Sequence, residues 1–247
     1  MTTLAFLHGV GGSHEAWADQ IRFFSAKGYD AHAWDQPGYA GAGTVAPYEL
    51  PQVTQALRDW LDTLTAEPVV LVGHSMGGFV AQAAWARFPE RIRALALCFT
   101  SAAFGGTGTD FAKQFIGARL GPLEAGRSMA EIAAVLMPTM AGVKSDPAGL
   151  ATAERLMGAV PPLTYRNAVT LLTTFDGRAA LPTISVPTLL LAGSDDRTAP
   201  AASMERMAAK IPGGEYVCLE GCGHLGPMDQ PDTFNTALLA FLQRHGL

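Results

Sequence analysis

The chain reads Val69-Val70-Leu71-Val72-Gly73-His74-Ser75-Met76-Gly77-Gly78 at the point from which the rest of its architecture can be inferred. The four apolar residues predict a buried strand, and the alanine-rich stretch that follows predicts a helix ending before Pro89. Small residues two positions before and two after Ser75 let a strand turn sharply into a helix without steric collision. Such a turn exposes the Ser75 hydroxyl near the positive end of the helix. A glycine-rich turn without chemistry is the alternative interpretation.

Short apolar runs on either side of this stretch alternate with segments of helical periodicity. The predicted strands are Leu4–His8, Tyr29–Trp34, Val69–Gly73, Ala94–Phe99, Thr188–Ala192 and Glu215–Leu219. The predicted helices are His14–Lys27, Pro51–Thr65, Ser75–Phe88, Ala201–Lys210 and Asp232–His245. Strands that alternate with helices in this way predict an α/β fold, in which a mainly parallel sheet is covered by helices on both faces.

The alternation stops between Ser101 and Val186, where helical patterns continue without strands. Phe111, Phe115 and Ile116 share one helical face, and Leu163–Phe175 has the pattern of another helix. The stretch Ser128–Glu131 has the form of a capping box. We expect residues 101–186, called the cap segment below, to form a helical cap insertion over the carboxyl edge of the sheet. Residues 1–100 and 187–247 are expected to form the core.

The composition predicts one compact domain. Hydrophobic residues make up 49% of the chain, charged residues 16%, and the net charge is -5, which argues against a nucleic-acid partner. Three cysteines without ligand spacing predict neither a disulfide framework nor a metal site, and no cofactor is expected. The amino terminus lacks the basic region of a signal peptide, and no apolar run approaches the ~20 residues that span a bilayer. We therefore expect a cytoplasmic protein with no membrane partner.

A second glycine-rich turn, His8-Gly9-Val10-Gly11-Gly12, follows the first predicted strand. Its backbone can present N–H groups to a neighbouring loop, and the amides of Val10 and Met76 could together stabilise the oxyanion of an acyl-transfer intermediate. The alternative is a phosphate-binding loop. The sequence disfavours that alternative, because the turn does not have the spacing G-x-G-x-x-G and no acidic residue suited to bind a ribose ends the second predicted strand.

The base and the acid are sought among the loops that follow the last two strands. His224, in the glycine-rich loop after the last strand, is the best placed of six histidines to accept a proton from Ser75. The loop after the preceding strand offers two carboxylates, Asp195 and Asp196, of which at most one should meet the imidazole. A thiol nucleophile at Cys222 is the less favoured alternative, because Cys222 lies on the same loop as the base.

Four landmarks occur in order: His8-Gly9, Gly73-x-Ser75-x-Gly77, Gly193-x-x-Asp196-x-x-x-Pro200 and Gly223-His224. With them the sequence resembles the α/β-hydrolase superfamily over essentially its whole length. The resemblance implies the α/β-hydrolase fold, with Ser75, Asp196 and His224 as catalytic residues, and it selects Asp196 over Asp195 by its distance from Gly193. Because only three residues precede Leu4, we expect this chain to lack the two N-terminal strands of the family and to form six parallel strands.

Within the superfamily, Ser75 stands where haloalkane dehalogenases and epoxide hydrolases require aspartate. Ser75-Met76-Gly77-Gly78 with a compact cap resembles the esterase and 3-oxoadipate enol-lactonase branch, which implies cleavage of an ester or lactone through an acyl-enzyme. Carbon–carbon bond hydrolases share Ser-Met-Gly-Gly but commonly place tryptophan after the base, where this chain has Leu225. A ligand-binding member without catalysis is the alternative from another class.

The substrate site is the least constrained part of the prediction. Trp17 and Phe79, near the two glycine-rich turns, and Phe104 in the cap segment are expected to bind substrate. Further apolar cap residues line the same pocket or form the core of the cap: Phe111, Phe115 and Met137. Four cap arginines are candidates to hold a substrate carboxylate, and the sequence does not choose among Arg119, Arg127, Arg155 and Arg166. The expected partner is a small-molecule ester or lactone, and the chain is compatible with a homodimer.

Overall fold

A six-stranded parallel sheet forms the centre of the computed structural model, which describes residues 1–105 and 108–247. The strands are β1 Thr3–Leu7, β2 Asp30–Trp34, β3 Val69–His74, β4 Ile92–Cys98, β5 Thr188–Gly193 and β6 Glu215–Leu219. Their order across the sheet is β2-β1-β3-β4-β5-β6, and every neighbouring pair is parallel. The predicted six-stranded parallel sheet is confirmed.

The central strands are apolar on both faces because helices cover the sheet on each side. All residues of β3 and β5 are buried. Alternate side chains enter two separate cores: Leu7 and Leu71 pack on one face, and Phe6 and Val72 on the other. The sheet edge at which the strands end is therefore held rigidly from both sides.

Five helices outside the cap segment are close to those predicted: α1 Ala18–Ser25, α2 Leu50–Leu64, α3 Met76–Arg87, α8 Ala201–Ala208 and α10 Pro231–Arg244. The short helix α9, Gly226–Asp229, was not predicted. The first of the five differs from its prediction, because a separate 3-10 turn, His14–Trp17, precedes α1. The Ser13 side chain accepts from the Glu15 amide and so begins this short turn. After α1 the chain leaves the helix through Gly28, whose φ is +86°.

Four further helices lie between β4 and β5: α4 Asp110–Glu124, α5 Met129–Leu136, α6 Pro147–Gly158 and α7 Pro162–Leu172. The capping box predicted at Ser128 and Glu131 is present at the start of α5. The two ends of the cap segment meet, because the Gly177 amide donates to the Ala102 carbonyl at 2.7 Å. In the part of the chain that the structure describes, no helix is both long enough and apolar enough to cross a membrane.

The turn between β3 and α3 is tightly packed against its neighbours. Ser75 has φ 53° and ψ -115°, a conformation that L-residues rarely adopt. A Cβ added at Gly77 would lie 2.1 Å from the Leu7 carbonyl oxygen, and one at Gly73 would lie 2.4 Å from the Gly77 carbonyl oxygen. Glycine is therefore required at both positions by backbone contacts that no rotamer change can relieve.

We expect Gly77→Ala to lower the free energy of unfolding by about 3 kcal/mol or more, because β1 and α3 must move apart to admit the methyl group. Gly117 in α4 provides the control, since a Cβ there meets nothing within 4 Å. Gly117→Ala should raise stability by up to ~1 kcal/mol through helix propensity alone. Urea unfolding, followed by circular dichroism, measures the free energy of unfolding of each variant. Equal urea midpoints for Gly77→Ala and Gly117→Ala would contradict the prediction.

Candidate active site

Ser75 lies at the carboxyl end of β3, where the loops after the central strands converge. Its amide donates to the Cys98 carbonyl at 3.0 Å, and its carbonyl accepts from the Thr100 hydroxyl at 2.8 Å. The end of β4 thus holds the main chain of Ser75 in its strained conformation. Sequence reasoning did not identify Thr100, whose only signal is its position after an apolar strand.

Three side chains from three loops meet in one hydrogen-bonded line. The Ser75 Oγ lies 3.0 Å from His224 Nε2, and His224 Nδ1 lies 2.8 Å from Asp196 Oδ2. Because the carboxylate accepts from Nδ1–H, the neutral ring keeps a lone pair on Nε2 that can accept the proton of the Ser75 hydroxyl. The side chains of His224 and Asp196 are 5% and 0% exposed, so water competes little for these bonds.

Asp196 is held as a carboxylate although it is buried. Its second oxygen, Oδ1, accepts from the amides of Thr198 at 2.7 Å and Ala199 at 2.9 Å. Burial alone would raise the pKa of Asp196, but His224 and these two amides outweigh it and hold the pKa below its ordinary value. The Asp196 side chain is therefore ionised at neutral pH and faces the imidazole as a fixed negative charge.

The neighbouring carboxylate, Asp195, points away from the imidazole. It accepts from the Val143 amide at 2.9 Å and from the Ser194 hydroxyl at 3.0 Å. The Val143 amide is the main cause of a lowered pKa at Asp195. Asp195 thus binds the cap segment to the core, while Asp196 alone contacts His224.

The main chain of His224 is fixed from two directions. Its amide donates to the Met140 carbonyl in the cap segment at 2.8 Å, and its carbonyl accepts from the His74 Nε2 at 2.7 Å. Burial lowers the pKa of His74 to about 3, so the ring is neutral and Nε2 carries its single proton. The sequence suggested a packing or hydrogen-bonding role for His74, but its partner depends on tertiary structure.

The turn after β1 approaches Ser75 closely. A Cβ added at Gly9 would lie 3.1 Å from the Ser75 Cβ. The Val10 carbonyl accepts from the Tyr39 hydroxyl at 2.9 Å, and Met76 is the first residue of α3. Within residues 1–105 and 108–247, no hydrogen-bond acceptor is found for the amides of Val10 and Met76. Both predicted oxyanion donors therefore lie beside Ser75 with N–H groups that remain available.

A cavity of about 340 Å³ opens above Ser75 and His224. Phe79 and Phe104 line it as predicted, together with Val10 and with three further residues named from the cap sequence: Phe111, Phe115 and Met137. Its wall is mostly apolar, which suits the hydrocarbon part of a small organic molecule.

The position expected for Trp17 needs correction. Its ring is 1% exposed and packs in the core, with centroids 5.0 Å from Phe6 and 5.9 Å from Phe234. Ala16 lines the cavity instead of Trp17. The turn His14–Trp17 directs the indole inward, an orientation that hydrophobicity alone does not reveal.

The alternative thiol nucleophile, Cys222, is enclosed by protein. Its side chain is fully buried, and burial raises the pKa of the thiol far above its ordinary range. Cys98 is buried in the same way. In the described residues, no group of three or more His, Cys, Asp or Glu side chains is arranged to hold a metal ion. The side chain that faces the base is the Ser75 hydroxyl.

Comparison with known proteins gives consistent results. Residues 4–237 match the model of the alpha/beta hydrolase family. The chain is 26% identical over 242 residues to 3-oxoadipate enol-lactonase 2 of Acinetobacter baylyi, covering 98% of this chain and 88% of that protein. A thermophilic esterase from Thermogutta terrifontis is 25% identical with a TM-score of 0.88, covering 99% and 90%. The enol-lactonase from Burkholderia xenovorans LB400 is 25% identical with a TM-score of 0.86, covering 98% and 91%.

Proposed function

Because the chain belongs to the alpha/beta hydrolase family, we propose that it hydrolyses a carboxylic ester or lactone through an acyl-enzyme on Ser75. The observation that carries this proposal is the hydrogen bond between Ser75 Oγ and His224 Nε2, 3.0 Å long, continued by the bond from His224 to Asp196. A serine hydroxyl is a weak nucleophile at neutral pH, and an adjacent base oriented by an acid is the arrangement that activates it.

The first half of the reaction forms the acyl-enzyme. The Ser75 oxygen attacks the ester carbonyl carbon while its proton passes to His224 Nε2. The resulting imidazolium is stabilised by the Asp196 carboxylate, which stays ionised. The negative oxygen of the tetrahedral intermediate accepts from the amides of Val10 and Met76, each contributing ~3–4 kcal/mol of transition-state stabilisation. The intermediate collapses as the proton on Nε2 passes to the departing alkoxide oxygen, which leaves as an alcohol.

The second half reverses these roles with water as the nucleophile. His224 removes a proton from water, and the hydroxide attacks the acyl carbon bound to Ser75. The same two amides stabilise the second oxyanion. The Ser75 oxygen then takes the proton back and leaves, which releases the carboxylic acid and restores the neutral imidazole. In a lactone the alcohol and the acid remain one molecule, so a single hydroxy acid, or its keto tautomer for an enol lactone, is released.

The choice of esters and lactones is supported by the cavity and by the relatives. The wall of the cavity is mostly apolar, with Phe79 and Phe104 among its lining residues, and this suits the hydrocarbon part of an ester or lactone. The relatives reported above are enol-lactonases and an esterase by name. Both reactions pass through a tetrahedral oxyanion, to which the amides of Val10 and Met76 would donate hydrogen bonds.

Covalent labelling tests whether Ser75 is an activated nucleophile. We expect a fluorophosphonate to modify the wild-type protein at Ser75, because phosphonylation requires the same attack by the serine oxygen. Peptide mass spectrometry identifies the modified residue. Ser101 also lines the cavity and provides a matched control, so Ser101→Ala should be labelled at the wild-type rate while His224→Gln should not be labelled. A protein that only binds ligands would leave Ser75 unmodified.

A further inference from the structure

Three of the four candidate arginines of the cap segment are neutralised at the protein surface, as is Arg178, which pairs with Asp176. Arg127 and Arg155 are exposed, Arg166 is half-buried, and each forms an ion pair with a glutamate: Arg127–Glu131 at 3.9 Å, Arg155–Glu15 at 2.9 Å and Arg166–Glu124 at 2.9 Å. Arg119 differs from all of them. It is half-buried and lines the cavity above Ser75. Across residues 1–105 and 108–247, no carboxylate lies within ion-pair distance of Arg119, and its side chain donates no hydrogen bond.

The Arg119 guanidinium is held in place by an aromatic ring. Its central carbon lies 5.3 Å from the ring centroid of Phe115, which is a cation–π distance. The ring centroids of Phe115 and Phe104 are 4.5 Å apart. Stacking leaves the edge of the guanidinium, with its N–H donors, free to bind another group. A positive charge that is withdrawn from water without a counterion costs free energy, which an anionic ligand would recover.

A second unpartnered donor lines the same cavity. The Tyr165 side chain is 1% exposed, and its hydroxyl is buried without any hydrogen-bond partner among the described residues. Tyr165 is close enough to Arg119 for the two groups to influence each other's titration. Buried hydroxyls in native proteins are almost always hydrogen-bonded, so an orphaned hydroxyl in a ligand cavity points to a group that the ligand supplies.

We propose that Arg119 and Tyr165 bind a carboxylate of the substrate. A guanidinium and a phenolic hydroxyl supply donors for the two oxygens of one carboxylate and neutralise its single charge. The apolar wall of the cavity, to which Phe104 and Phe115 contribute, faces the hydrocarbon part of the substrate. Together with the proposed reaction at Ser75, on which this part rests, the substrate class is an ester or lactone that carries a free carboxylate.

Binding of a dicarboxylate tests the anion site without any turnover. Adipate has no ester bond, and isothermal titration calorimetry measures its affinity for the wild-type protein. Arg119→Gln should weaken adipate binding by about 10- to 100-fold, the usual worth of a charge-assisted hydrogen bond. Arg166→Gln removes a half-buried arginine of the cap segment that is paired with Glu124 and is not among the residues that line the cavity, and it should leave the affinity unchanged. Equal adipate affinity in wild type and Arg119→Gln would overturn the inference.

Tyr165→Phe separates a ligand contact from a structural role. Because the hydroxyl has no partner in the described protein, its removal should leave the thermal midpoint unchanged or higher. The same variant should bind adipate several-fold more weakly, by about 3- to 10-fold for one hydrogen bond. A lower thermal midpoint with unchanged adipate affinity would mean that the hydroxyl supports the fold instead, and would overturn the role given to Tyr165.

Kinetics with two matched esters test the substrate class. Mono-p-nitrophenyl adipate carries the carboxylate, and methyl p-nitrophenyl adipate masks it as a neutral ester. Arg119→Gln should lower kcat/KM by about 10- to 100-fold for the anionic ester and by less than about twofold for the neutral one. Equal losses for both esters would overturn the inference. Adipate binding that depends on Arg119, with neither ester hydrolysed and Ser75 unlabelled, would support the anion site and reject the proposed function.

Discussion

Replacement of Ser75 by alanine should lower kcat for ester hydrolysis by about 10⁵- to 10⁶-fold, because no other hydroxyl or thiol is positioned against His224 Nε2 in the described structure. The residual rate would come from the oxyanion donors acting on bound substrate and water. Hydrolysis of p-nitrophenyl butyrate, followed by release of p-nitrophenolate at saturating substrate, measures the loss directly.

The Ser75→Ala variant should remain folded. Within the described residues, His224 is the one hydrogen-bond partner of the Ser75 side-chain oxygen, and alanine bears the same backbone strain at φ 53° as serine does. Thermal unfolding of the variant should therefore match the wild type, and Ser101→Ala should keep full activity. Activity of Ser75→Ala comparable to that of the wild type would place the nucleophile elsewhere and reject the acyl-enzyme mechanism.

Asp196→Asn should lower kcat by about 10⁴-fold while leaving the shape of the site intact. The asparagine amide can donate to His224 Nδ1, which would place the ring proton on Nε2 and direct it toward Ser75. In that tautomer the imidazole cannot accept the Ser75 proton. The lost carboxylate would also no longer stabilise the imidazolium. The kcat of the purified variant on p-nitrophenyl butyrate measures the effect.

Asp195→Asn is the matched control, since it makes the same change one residue earlier in the same loop. Asp195 accepts from the Val143 amide, and an asparagine oxygen can do the same, so kcat should change by less than about threefold. The two variants together separate the orientation of the imidazole from a general effect of charge. An inactive Asp195→Asn with an active Asp196→Asn would reverse the assignment of the acid.

The sheet could be predicted because each central strand is buried on both faces. Val69–Val72 and Leu189–Ala192 are continuous apolar runs, and their short length between turn signals favours buried strands over helices. The glycines of the turn around Ser75 were also informative, since a single methyl at Gly77 would collide with the Leu7 carbonyl oxygen. Patterns of this kind are predictive because they depend on the local conformation of the backbone.

Features that depend on packing between distant segments were not accessible in the same way. Trp17 and Phe79 are both large and apolar near glycine-rich turns, yet only Phe79 reaches the cavity, because a 3-10 turn directs Trp17 into the core. Arg119 and Arg166 are equally plausible anion binders in the sequence. Once the cap helices have packed, Arg119 lines the cavity, whereas Arg166 pairs with Glu124. The roles of these residues depend on tertiary contacts and not on the residues next to them in the sequence.

The main chain of His224 is bonded to the Met140 carbonyl. Nearby, Gly142 lies so close to the next loop that an added Cβ would be 2.4 Å from the Gly221 carbonyl oxygen. The cap segment, which contributes to the wall of the cavity, therefore also supports the main chain of His224. It is not a module that can be exchanged freely between relatives. A cap segment transplanted from a relative would preserve reactivity only if it supplied a carbonyl oxygen at the position of Met140 and a glycine at the position of Gly142. A change of substrate selectivity made in this way would therefore also affect the catalytic residues.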